Sequence, residues 1–169
     1  MDKEMAVLTD VALFKNLNAL QIERILGIVR KVTFPANTII MREGDVGATM
    51  YIIVEGTVEV AKSLVINESP EGTADKNKVF TRLDGREHAV FGEIALLEEL
   101  KRTASVKAVT DCVMYAMSRD DFFKVADEDY ELGYRVLLNL ARIVSARLRR
   151  ADEDTVKLTT ALSIMLREA

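Results

Sequence analysis

Glycine, carboxylate and guanidinium come together in Phe91-Gly92-Glu93-Ile94-Ala95-Leu96-Leu97 and, after a short gap, Arg102-Thr103-Ala104-Ser105-Val106. Gly92 has no Cβ and lets a ligand approach the backbone, and the N–H groups at the start of an Ile94–Leu97 turn would point outward as a seat for an anion. Arg102 offers that anion a planar fork of charged donors. Glu93 would repel the same anion unless its carboxylate accepts hydrogen bonds from another part of the ligand, and a ribose hydroxyl is such a donor. A linear nucleoside triphosphate would need a longer glycine-rich loop ending in Gly-Lys-Ser/Thr, which the sequence lacks. The seat suits a single phosphate carrying one negative charge. The structural alternative is an internal Glu93–Arg102 ion pair that merely closes a turn.

Other reactive side chains make no second site. Cys112 stands alone in an apolar run and reads as a small core residue; one cysteine supports neither a disulfide framework nor a multi-thiolate metal site, and fits a reducing cytoplasm. The lone His88 reads as a packed strand histidine, so no metal ligand is assigned. Glu98-Glu99 and Asp120-Asp121 are solvated or capping pairs, which leaves no acid–base machinery, and the chain is not expected to be an enzyme. With 23 Lys+Arg against 27 Asp+Glu the net charge is −4, giving no broad footprint for nucleic acid. Lys107, Arg119 and the Arg147, Arg149, Arg150 cluster are too sparse, and the cluster too close to Asp152–Asp154, to change that. No membrane-spanning run and no signal peptide are read in the sequence.

These residues need a scaffold. Asn18-Ala19-Leu20-Gln21 has the form of a capping box, and the apolar spacing after it predicts a helix from Asn18 to Val29, with Pro35 as a break. Short β-rich runs follow: Thr38–Met41, Met50–Glu55, Thr57–Leu64, Val79–Leu83, His88–Phe91, Ser105–Val109 and Cys112–Met117. Gly44–Gly47 and Glu55–Thr57 read as architectural turns, and Asn67–Lys78 as a long surface loop. Ser118 caps a short helix carrying Phe122, Phe123 and Val125. From Tyr130 onward there is no proline and only one glycine, Gly133, so one long helix of roughly 35 residues is expected.

The combination F-G-E-I-A-L-L and R-T-A-S-V resembles the phosphate-binding cassette of the cyclic nucleotide-binding domain family. Gly44-Asp45 and Tyr51-Ile52-Ile53-Val54-Glu55-Gly56-Thr57-Val58-Glu59-Val60 extend the resemblance over about Leu13 to Arg150. It implies that Glu93 holds the ribose 2′-hydroxyl, that Arg102 pairs with the cyclic phosphate, and that backbone groups of Gly92, Ile94, Ala95 and Ala104 complete the seat. Thr103, in the position after the arginine, leans toward cGMP over cAMP. Three departures stand out: Lys101 replaces a frequent proline, Leu83–Phe91 is about two residues longer than usual, and the long helix lacks a Thr-Ser pair to cap a base, with Asp152 nearby as a possible acceptor.

The expected fold is therefore α+β: an antiparallel, jelly-roll-like β-roll with flanking helices and a long C-terminal helix. Residues 1–129 form the binding domain and 130–169 the dimerisation helix. Leu137, Val144, Ala151, Leu158 and Met165 recur every seven residues, with Ala141, Leu148, Thr155 and Leu162 between them, the seam of a parallel homodimer in which Arg147 of one helix faces Asp152 of the other. The expected function is binding of cAMP or cGMP, with no other cofactor, by a cytoplasmic sensor that signals to an effector protein through this helix. No DNA-binding domain is expected in the chain. The competing expectation is a ligand-independent homodimeric interaction module with a degenerate pocket.

Overall fold

The central strands explain the architecture. In the computed structural model, which describes residues 2–64, 76–98 and 101–167, β3 (Thr49–Glu55) and β8 (Cys112–Ser118) pair antiparallel. Because side chains alternate faces along a strand, Met50, Ile52, Tyr115 and Met117 enter one core cluster while Ile53, Cys112 and Met114 enter another. Both faces are covered, which is why M-Y-I-I-V reads as a continuous apolar run rather than an alternating one.

The sheet containing these strands has the order β1-β8-β3-β6, with β1 at Arg30–Phe34 and β6 at Val90–Phe91. The second has the order β2-β7-β4-β5, formed by β2 (Ile39–Met41), β4 (Thr57–Leu64), β5 (Lys76–Asp84) and β7 (Ser105–Ala108). All named pairings are antiparallel. Val58, Phe91, Val106 and Ala108 join Ile53, Cys112 and Met114 in the inter-sheet core. The outer face of the first sheet is covered by α1 (Asp2–Asp10), α2 (Ala19–Ile28), α4 (Arg119–Glu128) and the first half of α5 (Tyr130–Met165), through Leu8, Ile22, Ile25, Phe122, Leu132, Val136 and Leu140. This is the expected β-roll with flanking helices and a long last helix.

Both predicted caps form. Asn18 accepts the Gln21 N–H at 2.9 Å while the Gln21 side chain accepts the Asn18 N–H, and Ser118 accepts the Asp121 N–H. Four features differ from expectation. β1 lies before Pro35, where no strand is predicted, because its charged sequence becomes a strand only by pairing with β8; α1 is likewise unforeseen. The predicted strand His88–Phe91 is shortened to Val90–Phe91, and His88 has φ 45° after a 3-10 turn at Gly85–Glu87. The Asp84 carboxylate accepts the Arg86 N–H at 2.8 Å and caps that turn, absorbing the extra length, so His88 is a turn residue and not a strand histidine. Of the loop predicted at Asn67–Lys78, residues 67–75 lie outside those described and Lys76 already begins β5.

Candidate ligand-binding site

Gly92 leaves the edge strand β6 with φ 68°, a conformation cheap only for glycine, and so turns the chain into α3 (Ile94–Leu97). Glu93 precedes this turn with only 5% of its surface exposed. The Ala95 N–H, expected to face the ligand, instead donates to the Gly92 carbonyl at 3.1 Å and closes the turn. The Leu96 N–H likewise donates to the Glu93 carbonyl at 3.1 Å.

Arg102 arrives from the other side. Its N–H donates to the Asp45 carbonyl at 2.7 Å, and its own carbonyl accepts the Gly44 N–H at 2.9 Å, tying the cassette to the Gly44–Gly47 turn. The guanidinium passes between Gly47 and Gly92, and Nη2 donates to the Thr49 carbonyl at 2.7 Å. Among the described residues it forms no ion pair. Burial pushes its pKa below the ordinary arginine value, while Tyr51, Asp45 and Glu93 act in the opposite direction. A half-buried cation held by a backbone carbonyl and, among the described residues, in no ion pair keeps the capacity to pair with an anion.

The sequence alternative of a Glu93–Arg102 pair does not form. Glu93 Oε1 is 2.6 Å from Arg147 Nη1 on α5, and Arg147 Nη2 donates to the Val90 carbonyl at 2.6 Å. A cavity of about 590 Å³ lies between cassette and helix. All seven predicted site residues, Gly92, Glu93, Ile94, Ala95, Arg102, Thr103 and Ala104, line it. The opposite wall is α5, through Arg147, Arg150, Ala151, Asp154, Thr155 and Leu158, which the sequence reading did not assign to the site. Their spacing places them on one helical face, a signal present in the sequence but absorbed there into the dimer seam. Asp152, singled out as a base acceptor, is exposed and does not line the cavity, whereas Asp154 and Thr155 do. Arg147, assigned to an interhelical pair, is turned onto its own roll.

The model of the cyclic nucleotide-binding domain matches residues 31–129. The chain belongs to the cyclic nucleotide-binding domain family. Within that family it is 33% identical over 117 residues to a cGMP-dependent protein kinase of Drosophila melanogaster (isozyme 2), covering 69% of this chain and 9% of the kinase. The Thermus thermophilus catabolite activator protein superposes with a TM-score of 0.73 at 26% identity, over 88% of this chain and 63% of the other. The regulatory domain of Toxoplasma gondii PKA, solved with cAMP, gives a TM-score of 0.61 at 25% identity over 73% and 43% of the two chains. This cyclic nucleotide-binding domain thus spans about a tenth of the length of the curated relatives it matches. Among its described residues no helix is long and apolar enough to cross a membrane.

Proposed function

We propose that this cyclic nucleotide-binding domain takes cAMP or cGMP into the cavity between the cassette and α5 and reports occupancy to an effector protein through α5, without performing chemistry on the nucleotide. The observation that carries this reading is the Glu93–Arg147 pair, which joins the two walls of the cavity. Arg147 neutralises a buried carboxylate that would otherwise repel a phosphate, pairing with it through Oε1, and the carboxylate has lone pairs left with which to accept the ribose 2′-hydroxyl. Arg102 and the cassette backbone hold the cyclic phosphate. Thr103 favours the guanine nucleotide. A nucleotide that contacts both walls interacts differently with each position of α5, and that difference is what shifts the helix between them. The exposed stripe Leu148, Leu158, Leu162 and Met165 supports a second copy of the chain as the first partner of this helix, with residues 1–129 as the binding unit and 130–169 as the output. The cytoplasm is the compartment that supplies such a ligand.

The test is calorimetric titration of ligand-stripped protein with cAMP, cGMP and their 2′-deoxy analogues. One nucleotide should bind per chain, and Arg102→Ala should weaken every cyclic monophosphate by about 2 to 4 kcal/mol if the pair is desolvated. The 2′-deoxy change should cost much less in Glu93→Ala than in the wild type. Absence of binding favours the ligand-independent interaction module, and turnover of the nucleotide would make the chain an enzyme.

A further inference from the structure

The guanidinium of Arg102 is set in place by a residue that lies far upstream of the cassette. A methyl group built on Gly47 would stand 2.7 Å from Arg102 Nη2, 2.8 Å from Nε and 3.0 Å from Cζ. The whole Nε–Cζ–Nη2 edge therefore rests against the bare Cα of Gly47, while Nη2 reaches the Thr49 carbonyl two residues on. On the other side, a Cβ on Gly92 would stand 2.8 Å from Nη1. The cation is held in a slot whose two walls are glycines.

The two glycines are not equivalent. Gly92 has φ 68° and needs to be glycine for its backbone alone, whereas Gly47 does not occupy the positive-φ region, so alanine is compatible with its backbone. What alanine cannot do there is leave the guanidinium where it is. Distances below 3 Å to a carbon are beyond real contacts, and the yielding group is the far end of a flexible side chain, not the backbone. The turn containing Gly47 reads from sequence as pure architecture; Gly44, with φ 87° and open space around its missing Cβ, fits that reading, but Gly47 does not.

We propose that Gly47 is a positioning residue of the phosphate site: its missing side chain fixes Arg102 against the Thr49 carbonyl and aims Nη1 at the anion seat. Its effect on ligand affinity passes through Arg102, and for that affinity the proposal rests on the reading of the cavity given above. Gly47→Ala keeps the fold and moves the guanidinium out of the slot.

Two readouts test this, one of which needs no ligand. In nucleotide-free protein, the arginine Nε–Hε resonances are recorded by NMR and that of Arg102 is assigned by its loss in Arg102→Ala. In Gly47→Ala it should move into the group of exposed arginines, with the thermal midpoint preserved. An unmoved resonance in Gly47→Ala overturns the proposal whether or not nucleotide binds. The second readout is a double-mutant cycle for cAMP and cGMP, measured by NMR titration so that millimolar binding remains visible. Gly47→Ala should weaken binding by about tenfold in the wild-type background and by less than about twofold in Arg102→Ala, as expected for residues in direct contact. Equal losses in both backgrounds would mean that Gly47 acts on the turn and not on Arg102, and overturn the proposal. If wild-type protein binds neither nucleotide, the ligand reading fails, while the resonance of Arg102 still decides the role of Gly47.

Discussion

The two halves of α5 carry the same kind of apolar periodicity and meet opposite surroundings. In the first half Leu132, Val136 and Leu140 are fully buried, Gly133 lies against Ala126, and the buried Asn139 side chain donates to the carbonyls of Leu13 and Lys15 at 3.1 and 2.8 Å. In the second half Leu148, Val156, Leu158, Leu162, Ile164 and Met165 are all exposed, Leu158 by 64%. There the helix is tied to the roll by Arg147 and faces the cavity with one side. The contrast teaches that periodicity reports which face of a helix is apolar, not what covers it. It also separates two roles: the first half is part of the hydrophobic core, and the second is tied to the roll through the polar contacts of Arg147.

Substitutions that act on one half alone are the way to test this division. The largest effect is expected for Leu140→Ala, which should lower unfolding free energy in denaturant titration by about 2 to 5 kcal/mol, as for other fully buried leucines. A loss below about 1 kcal/mol would make the first half as loosely held as the second. Arg147→Gln should cost less, about 1 to 2 kcal/mol, because Glu93 loses its cation in a buried position while Arg147 itself is partly screened by water. Its signature should be faster hydrogen exchange beyond Val144 with no change over 130–144, and a uniform increase along the helix would erase the distinction.

Asp129→Ala removes the cap at the start of α5, where the carboxylate accepts the Leu132 N–H at 3.0 Å, and should cost about 1 kcal/mol. That hydrogen bond holds the Asp129 pKa below its ordinary 3.8, with Gln21 assisting against the opposing effect of burial. A depressed folded-state value means that the contribution is fully present above the unfolded-state pKa and is lost as pH falls through the lower folded one. Wild type and Asp129→Ala should therefore converge in stability on acidification, and a constant gap would contradict the cap. The smallest effect on the fold is expected for Leu158→Glu, under about 0.5 kcal/mol for an exposed site, although it should convert a sedimenting dimer to monomer. A wild-type chain that sediments as a monomer at micromolar concentration would remove the dimer seam from the account.

The features legible in the sequence were those set by neighbours along the chain. Asn18 and Ser118 announce their helices because a cap is satisfied within three residues, and F-G-E-I-A-L-L announces its turn because Gly92, Glu93 and α3 are contiguous. β1 was missed because Arg30–Phe34 is a strand only by virtue of β8. The partner of Glu93 was missed for the same reason: nothing between Gly92 and Arg102 says that Arg147 will lie 2.6 Å away. Likewise, the choice of Asp154 and Thr155 over Asp152 as cavity residues depends on the angle at which α5 crosses the roll, and that angle is fixed by Asn139 and the buried leucines of its first half.

The strand order β1-β8-β3-β6 has a consequence for how the protein is made. Phe34 pairs with Cys112 and Arg30 with Ala116, so β1 waits for a partner about 80 residues downstream, and a pairing of such range forms late. Among the described strands β8 leaves the ribosome after all the others, yet it is an interior one. Until it emerges β1 has no neighbour, and β3 has only the two-residue β6 beside it on this sheet. The cassette is thus synthesised before the sheet that supports it can close. α5 emerges after β8, so during synthesis it docks after the described strands, onto a roll that is free to have formed already.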